Sequence, residues 1–175
     1  MKKVHVAATA LIPLLLIFAG FYIFFVAGGT LSFAFLDQGR WYESSWVDPA
    51  APVPFAQRLI YFLVWILPVA LGLYAVFAAL WLVLLIRRGI LFDARVSALL
   101  RHVGIGTSGS GFTDFVANLL TPTMLSWTNP GGAEPVTWYF DSEPAGLIVC
   151  GAGFYMIGWI MAEARRLADE NESFI

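Results

Sequence analysis

Long uncharged apolar runs alternate with short polar stretches along this chain, and the spacing predicts helices rather than strands. Val6 to Leu36 contains no charged residue, and neither does Leu59 to Ile86. About 20 apolar residues carry a helix across the ~30 Å hydrocarbon core of a bilayer. Residues 7–28 and 59–86 are therefore expected as the first two spans. At about 1.5 Å per residue the second run exceeds the core, so it must tilt, kink or project. Pro68 offers a kink site. Residues 103–126 form a weaker run, diluted by Gly, Ser and Thr, and are expected as a third span. Residues 145–162, just after Asp141 and Glu143, are expected as the fourth.

Composition moves the chain out of the soluble class. It is 59% apolar and 13% charged over 175 residues, against about 25% charged in soluble domains. The N-terminal run imitates a signal peptide, with Lys2-Lys3 before it and Ala27-Gly28-Gly29 at its end, but is too long for a normal apolar region of one. The net charge of −2 gives no case for direct contact with nucleic acid. A single cysteine, Cys150, excludes an internal disulfide, and it reads as a small apolar residue. His5 and His102 stand far apart, so no metal-ligand spacing exists and no cofactor is expected.

The cations then orient the spans. Of ten basic residues, Lys2 and Lys3 open the chain, Arg87, Arg88, Arg95 and Arg101 flank its middle, and Arg165 and Arg166 lie near its end. Only Arg40 and Arg58 fall in the other two loops. The positive-inside rule places both termini and the middle loop in the cytoplasm, with residues 29–58 and 127–144 outside. The fold expected is an all-α integral membrane protein of one domain, with four transmembrane helices, N-in/C-in. A cytoplasmic amphipathic helix over 93–102 joins spans two and three. Asp93 suits its N-cap, and Val96, Leu99, Leu100 and Val103 recur at helical spacing. Gly89 suits the C-cap of span two. Arg87, Arg88, Arg95 and Arg101 are the expected contacts to a partner or to anionic headgroups, and His102 is expected at the surface. The tail 163–175 continues span four as a helix, with Arg165/Asp169 and Arg166/Glu170 as i,i+4 pairs.

Chemistry is sparse. Thr107, Ser110, Gly111, Asp114, Asn118 and Thr121 recur every three or four residues and form one polar face of span three. Counted from Val103, Asp114 falls near the bilayer centre, with Tyr155 or Asn118 as its expected partner. Intramembrane acids are functional candidates, and polar small-residue faces also pack helices. Gly151 and Gly158, seven apart, are the expected matching surface on span four. Gly104 to Gly109 fits the dinucleotide fingerprint as a string, but lacks the strand–turn–helix context that gives the string its meaning. Gly106-Thr107-Ser108-Gly109 resembles the short serine motif of rhomboid proteases, whose chemistry needs a histidine base on another span. No catalytic residue is assigned.

Two stretches resemble an uncharacterised family of small bacterial membrane proteins, domain of unknown function 2975. The first is Gly89-Ile90-Leu91-Phe92-Asp93 followed by Leu100-Arg101-His102-Val103-Gly104. The second runs from Ala164 to Ile175, with Arg166-Leu167, Glu170, Glu172 and Phe174-Ile175. The resemblance implies a multi-pass protein of the bacterial cytoplasmic (inner) membrane and brings no catalytic residues. It also implies a membrane-linked regulatory role, since such proteins are often encoded beside small helix-turn-helix regulators. The function expected is non-enzymatic protein–protein binding within the lipid bilayer. The partner is either a small cytoplasmic regulator or a larger membrane complex that the chain serves as an accessory subunit. The alternative is a small oligomeric ion- or proton-coupled transporter or channel using Asp114.

Overall fold

The computed structural model describes residues 2–37, 39–91, 93–135 and 142–172. All its regular structure is helical. Helix α1 (Lys2–Phe21) runs without a break through a π-helical stretch (Tyr22–Ala27), the single turn α2 (Gly28–Leu31) and a second π-helical stretch (Ser32–Leu36). The short α3 (Gly39–Glu43) follows, then three long helices: α4 (Phe55–Arg87), α5 (Ala94–Ser126) and α6 (Ser142–Glu172). Three stretches are long and apolar enough to cross a membrane: Val6–Leu36, Phe55–Arg87 and Ser142–Asn171. Helix α5 matches them in length, but Gly, Ser and Thr dilute its apolar character.

Two expected boundaries move. The first loop begins at Asp37 rather than residue 29, because helical backbone continues through Gly28 and Gly29 with ordinary right-handed angles at the junctions. No break separates residues 93–102 from 103–126, so the amphipathic segment is the first part of α5 rather than a separate surface helix. Its start is as the sequence implies: Asp93 Oδ1 accepts a hydrogen bond from the Arg95 amide at 2.8 Å. Val96 and Ser97 are buried by packing within the bundle. The glycines that follow do not interrupt the helix, because each lets another backbone come close. A Cβ on Gly104 would stand 2.6 Å from the Gly151 carbonyl oxygen, and one on Gly106 would stand 2.9 Å from the Ala75 amide nitrogen. The turn before α5 does need glycine. Gly89 has φ +80°, its amide donates to Ile86 O, and the Ile90 amide donates to Leu85 O. That pairing closes α4 with a left-handed cap.

Helix α5 lies between α4 and α6, antiparallel to both, and α1 packs on α4. The α5–α6 contact has a fixed register. Ser97 meets Gly158, Gly104 meets Gly151, and Gly111 meets Pro144. Each step is two turns on both helices, so small residues repeat along one seam and the backbones touch. The α4–α5 contact mixes small residues with hydrogen bonds. Ser110 Oγ donates to Pro68 O at 2.9 Å, and Trp65 Nε1 donates to Thr121 Oγ1 at 3.1 Å. Such contacts suit helices that share an apolar solvent, where close packing and interhelical hydrogen bonds replace hydrophobic burial.

The α5–α6 seam predicts a sharp contrast between two glycines of α6. Gly151→Ala adds a methyl where the Ser108 backbone and side chain already sit, whereas nothing lies within 4 Å of the Cβ position of Gly153. Overpacking should cost about 1–3 kcal/mol at Gly151. Thermal unfolding in detergent should show a lower midpoint for Gly151→Ala and little change for Gly153→Ala.

Candidate functional site

One end of the bundle is covered by its own loop. Trp41 is 1% exposed and packs with Val47 and Leu125, flanked by Phe33, Trp46, Val53 and Tyr61. Its indole Nε1 donates to Phe33 O at 2.6 Å. The Trp41 ring stacks on Phe33 and meets Tyr61 edge-on, with centroids 5.1 and 5.4 Å apart. Asn129 ties the two loops together: its Oδ1 accepts from the Asp48 amide and its Nδ2 donates to Trp46 O, both at 3.0 Å. The first loop is therefore a cap folded onto the helix ends, with Trp41 turned inward.

Gln57 anchors that cap from below. It is 2% exposed, and its Nε2 donates to the carbonyls of Met124 (2.7 Å) and Leu125 (3.0 Å). These belong to the last turn of α5, where carbonyls have no partner within the helix. Gln57 Oε1 accepts from Thr128 Oγ1 at 3.3 Å. One amide thus closes the end of α5 and holds it to α4. The sequence reading passed over Gln57 by starting span two at Leu59. The available signal was a lone uncharged amide at the lip of a long apolar run.

The polar face of α5 does not act as one unit. Ser110 and Thr121 bond to α4 as described, and Gly111 packs against Pro144 and Leu147 of α6. Thr107, Asp114 and Asn118 are half-buried. Asn118 Nδ2 lies 3.1 Å from Asp114 O and 3.4 Å from Asp114 Oδ2. Tyr22 approaches the same place from α1: its hydroxyl hydrogen-bonds with Ser110, within electrostatic reach of Asp114. Ser110 gives its own proton to Pro68, so Tyr22 donates. Gly72 makes the room, since a Cβ there would stand 2.6 Å from the Tyr22 oxygen and 3.4 Å from Ser110 Oγ. Tyr155 is not beside Asp114. It packs at Gly104, ten residues back along α5, or roughly 15 Å. Asp114 also lies deeper from the arginine end than a helix starting at Val103 implies. Measured from Asp93 it is about 30 Å along α5, a full hydrocarbon thickness.

The arginines of the other end are dispersed. Arg87, Arg88 and Arg95 are exposed, while Arg101 is half-buried with its side chain against Gly158. Arg95 and Arg101, six residues apart, lie on different faces of α5. Arg165 pairs with Asp169 at 3.7 Å, and Arg166 with Glu163 at 2.7 Å and Glu170 at 3.4 Å. A groove of about 530 Å³ opens between the start of α5 and α6, lined by Asp93, Ser97, Met161, Ala164, Arg165 and Asp169. An apolar slot of about 280 Å³, lined by Leu82, Ile86, Leu91, Val96 and Leu100, shares Met161 with it. Just inward, His102 Nδ1 lies 2.5 Å from the Tyr74 hydroxyl, and the two rings meet edge-on.

Ser108 donates its hydroxyl to Ile148 O at 3.0 Å, a helix-to-helix bond. Among the described residues no three metal-ligating side chains converge. No family model matches the chain, and no curated protein or solved structure is significantly similar to it.

Replacing Gln57 with leucine would strand the α5 carbonyls and the Thr128 hydroxyl at once. A buried group left unsatisfied costs about 1–3 kcal/mol. Thermal unfolding in detergent should place Gln57→Leu well below both wild type and Thr128→Val, which removes only the longest of the three bonds.

Proposed function

We propose that the chain is a non-enzymatic, multi-pass protein of the bacterial cytoplasmic membrane that works by binding another protein at its arginine end. In this reading α5 is a fourth span, carried through the bilayer by its contacts with α4 and α6 although its own composition is polar. Both termini lie in the cytoplasm, as the basic clusters favour. The membrane edge on that side passes near Arg87 and Glu163, the first charged positions at that end of α4 and α6, and near the Asp93 cap of α5, with the long Arg101 side chain reaching back toward that surface. The opposite edge then lies near Asp114 and Glu143, and the aromatic cap occupies the outer interface.

The observation that carries the binding reading is the length of α6. In the register set by Ser97 and Gly158, α6 outruns the start of α5 by about ten residues, or roughly 15 Å. This projecting segment carries Ala164, Leu167 and Ala168 between ion-paired charges, with Leu167 exposed. The groove at its base joins apolar walls to Asp93, Arg165 and Asp169. A soluble regulator is favoured over a larger membrane complex, because the outer aromatic loop is engaged by its own helices while the cytoplasmic segment is not. The resemblance of residues 89–93, 100–104 and 164–175 to the family named above covers this same end and suggests a small helix-turn-helix protein as the partner class.

Photo-crosslinking from the native membrane tests this. A crosslinker at Leu167 or Ala168 should yield a specific adduct with a small DNA-binding protein, and one at Phe24 should not. Adducts with large membrane subunits instead would favour the accessory-subunit version. The absence of any protein adduct at either α6 position would count against both.

The transporter alternative draws on one observation, the convergence of Tyr22, Ser110, Asp114 and Asn118. Four spans are few for a complete pathway, so oligomers would be needed. Flux into liposomes that is abolished by Asp114→Asn would support it, and flux unchanged by that substitution would remove it.

A further inference from the structure

The polar side chains of α5 form a path with one open end. Asp114, Asn118 and Thr121 share a face by their three- and four-residue spacing, and all are half-buried. At the capped end, Thr121 lines a cavity of about 430 Å³ together with Arg40, Glu43, Ser44 and Trp46. Asn118 stands one turn deeper, with its amide 3.4 Å from the Asp114 carboxylate. One further turn on, Ser110 is buried and held by Pro68 and Tyr22. There the path closes. Thr107 is the last hydroxyl on this face, and Val103, Leu100 and Val96 continue it to the arginine end. Of the two openings at that end, the slot is lined by apolar side chains among the described residues, and the polar groove reaches no deeper along α5 than Ser97. The hollow ends at Thr121, whose hydroxyl donates to Ala117 O and accepts from Trp65; from there the Asn118 amide leads to Asp114 on one side, and aliphatic side chains continue the face on the other.

We propose that Asp114 is a proton-binding site in exchange with the capped, loop-bearing side of the membrane and closed to the arginine side. The step is a simple transfer: hydronium gives its proton to the Asp114 carboxylate, leaving a neutral carboxyl and water, and the reverse step restores the charge. Among the described residues, each element packed near it contributes as follows. Helix α1 contributes the Tyr22 hydroxyl, and α5 itself contributes Asn118. Helix α4 contributes Gly72 and the Pro68 carbonyl, its charged side chains being confined to Arg58 and Arg87 at its ends. Helix α6 brings Glu143 at its start. Arg40 at the mouth of the path is paired with Asp37 at 3.6 Å, and Glu43 lies beside it in the cavity wall. Because Tyr22 joins α1 to the α4–α5 pair at this point, the charge on Asp114 acts on the polar link that holds α1. The site stands independently of the docking reading but rests on the membrane placement given above. It also narrows the transporter alternative, since a one-sided path supplies a sensor or a half-channel rather than a conduit.

Infrared difference spectroscopy on vesicles holding the oriented full chain tests the proposal. A pH jump on the capped side should produce a carboxyl band that is lost in Asp114→Asn and shifted in Asp114→Glu. The same jump on the arginine side should leave the band unchanged. Thr121→Leu, which fills the mouth of the path, should slow the response without removing the band. A band that follows the arginine-side jump, a band unaffected by either jump, or an unaltered rate in Thr121→Leu would overturn the proposal. Release of the chain from membranes by alkaline carbonate would overturn the placement on which it rests, and so separates the two failures.

Discussion

The structure depends on the contact between α5 and α6. A polar, glycine-rich helix has little reason of its own to sit among apolar ones. It does so here because Ser97, Gly104 and Gly111 meet Gly158, Gly151 and Pro144 at backbone distance. Close approach gains dispersion contacts along the whole seam, and it lets Ser108 reach a carbonyl of α6. Every later feature follows from α5 being held in this register. The α4 contact, the anchoring of its last turn by Gln57, and the projection of α6 at the other end are all set by where α5 starts and stops.

The two ends of the bundle are built differently. At the capped end an aromatic cluster, an asparagine clasp and a buried glutamine tie the loops to the helix termini, so the groups there are engaged with one another. At the arginine end α6 runs past its neighbours and leaves a groove beside them. A packed cap at one end and an unaccompanied helix at the other are the reason the proposed docking site is placed at the arginine end. The polar path toward Asp114 begins instead beneath the cap. Binding and protonation, as proposed, therefore use opposite ends of α5, joined by one uninterrupted helix.

Much of the helical plan was legible in the residues. The apolar runs mark three of the long helices, the Asp93 cap and the Gly89 turn fall where their chemistry requires, and the tail remains helical through its ion pairs. The misread feature was α5. The basic amphipathic stretch 93–102 reads locally as a surface helix separate from the span after it, and glycines such as Gly104 and Gly106 would weaken an isolated helix at that junction. In the fold they are contact points, and tertiary packing overrides the propensity. Of the two partners expected for Asp114, Asn118 lies at hydrogen-bond distance and Tyr155 does not. The depth of Asp114 was counted from a helix start nine residues too late, while Tyr22, which hydrogen-bonds Ser110 nearby, sat inside an aromatic run that offered no periodic signal. Gln57 and Asn129 act across more than sixty residues of sequence, and no local pattern announces such pairs.

The continuity of α5 is the claim on which the rest turns, and a distance measurement tests it most directly. Spin labels at Arg95→Cys and Trp127→Cys, in a Cys150→Ala background, lie at exposed positions near the two ends of the helix. An unbroken helix separates their backbones by about 48 Å at 1.5 Å per residue. A surface helix over 93–102 turning at right angles into a span from residue 103 would shorten that separation to roughly 38 Å. A narrow distribution at the longer distance in lipid bilayers is the result this account predicts. A distribution centred at the shorter distance would contradict it.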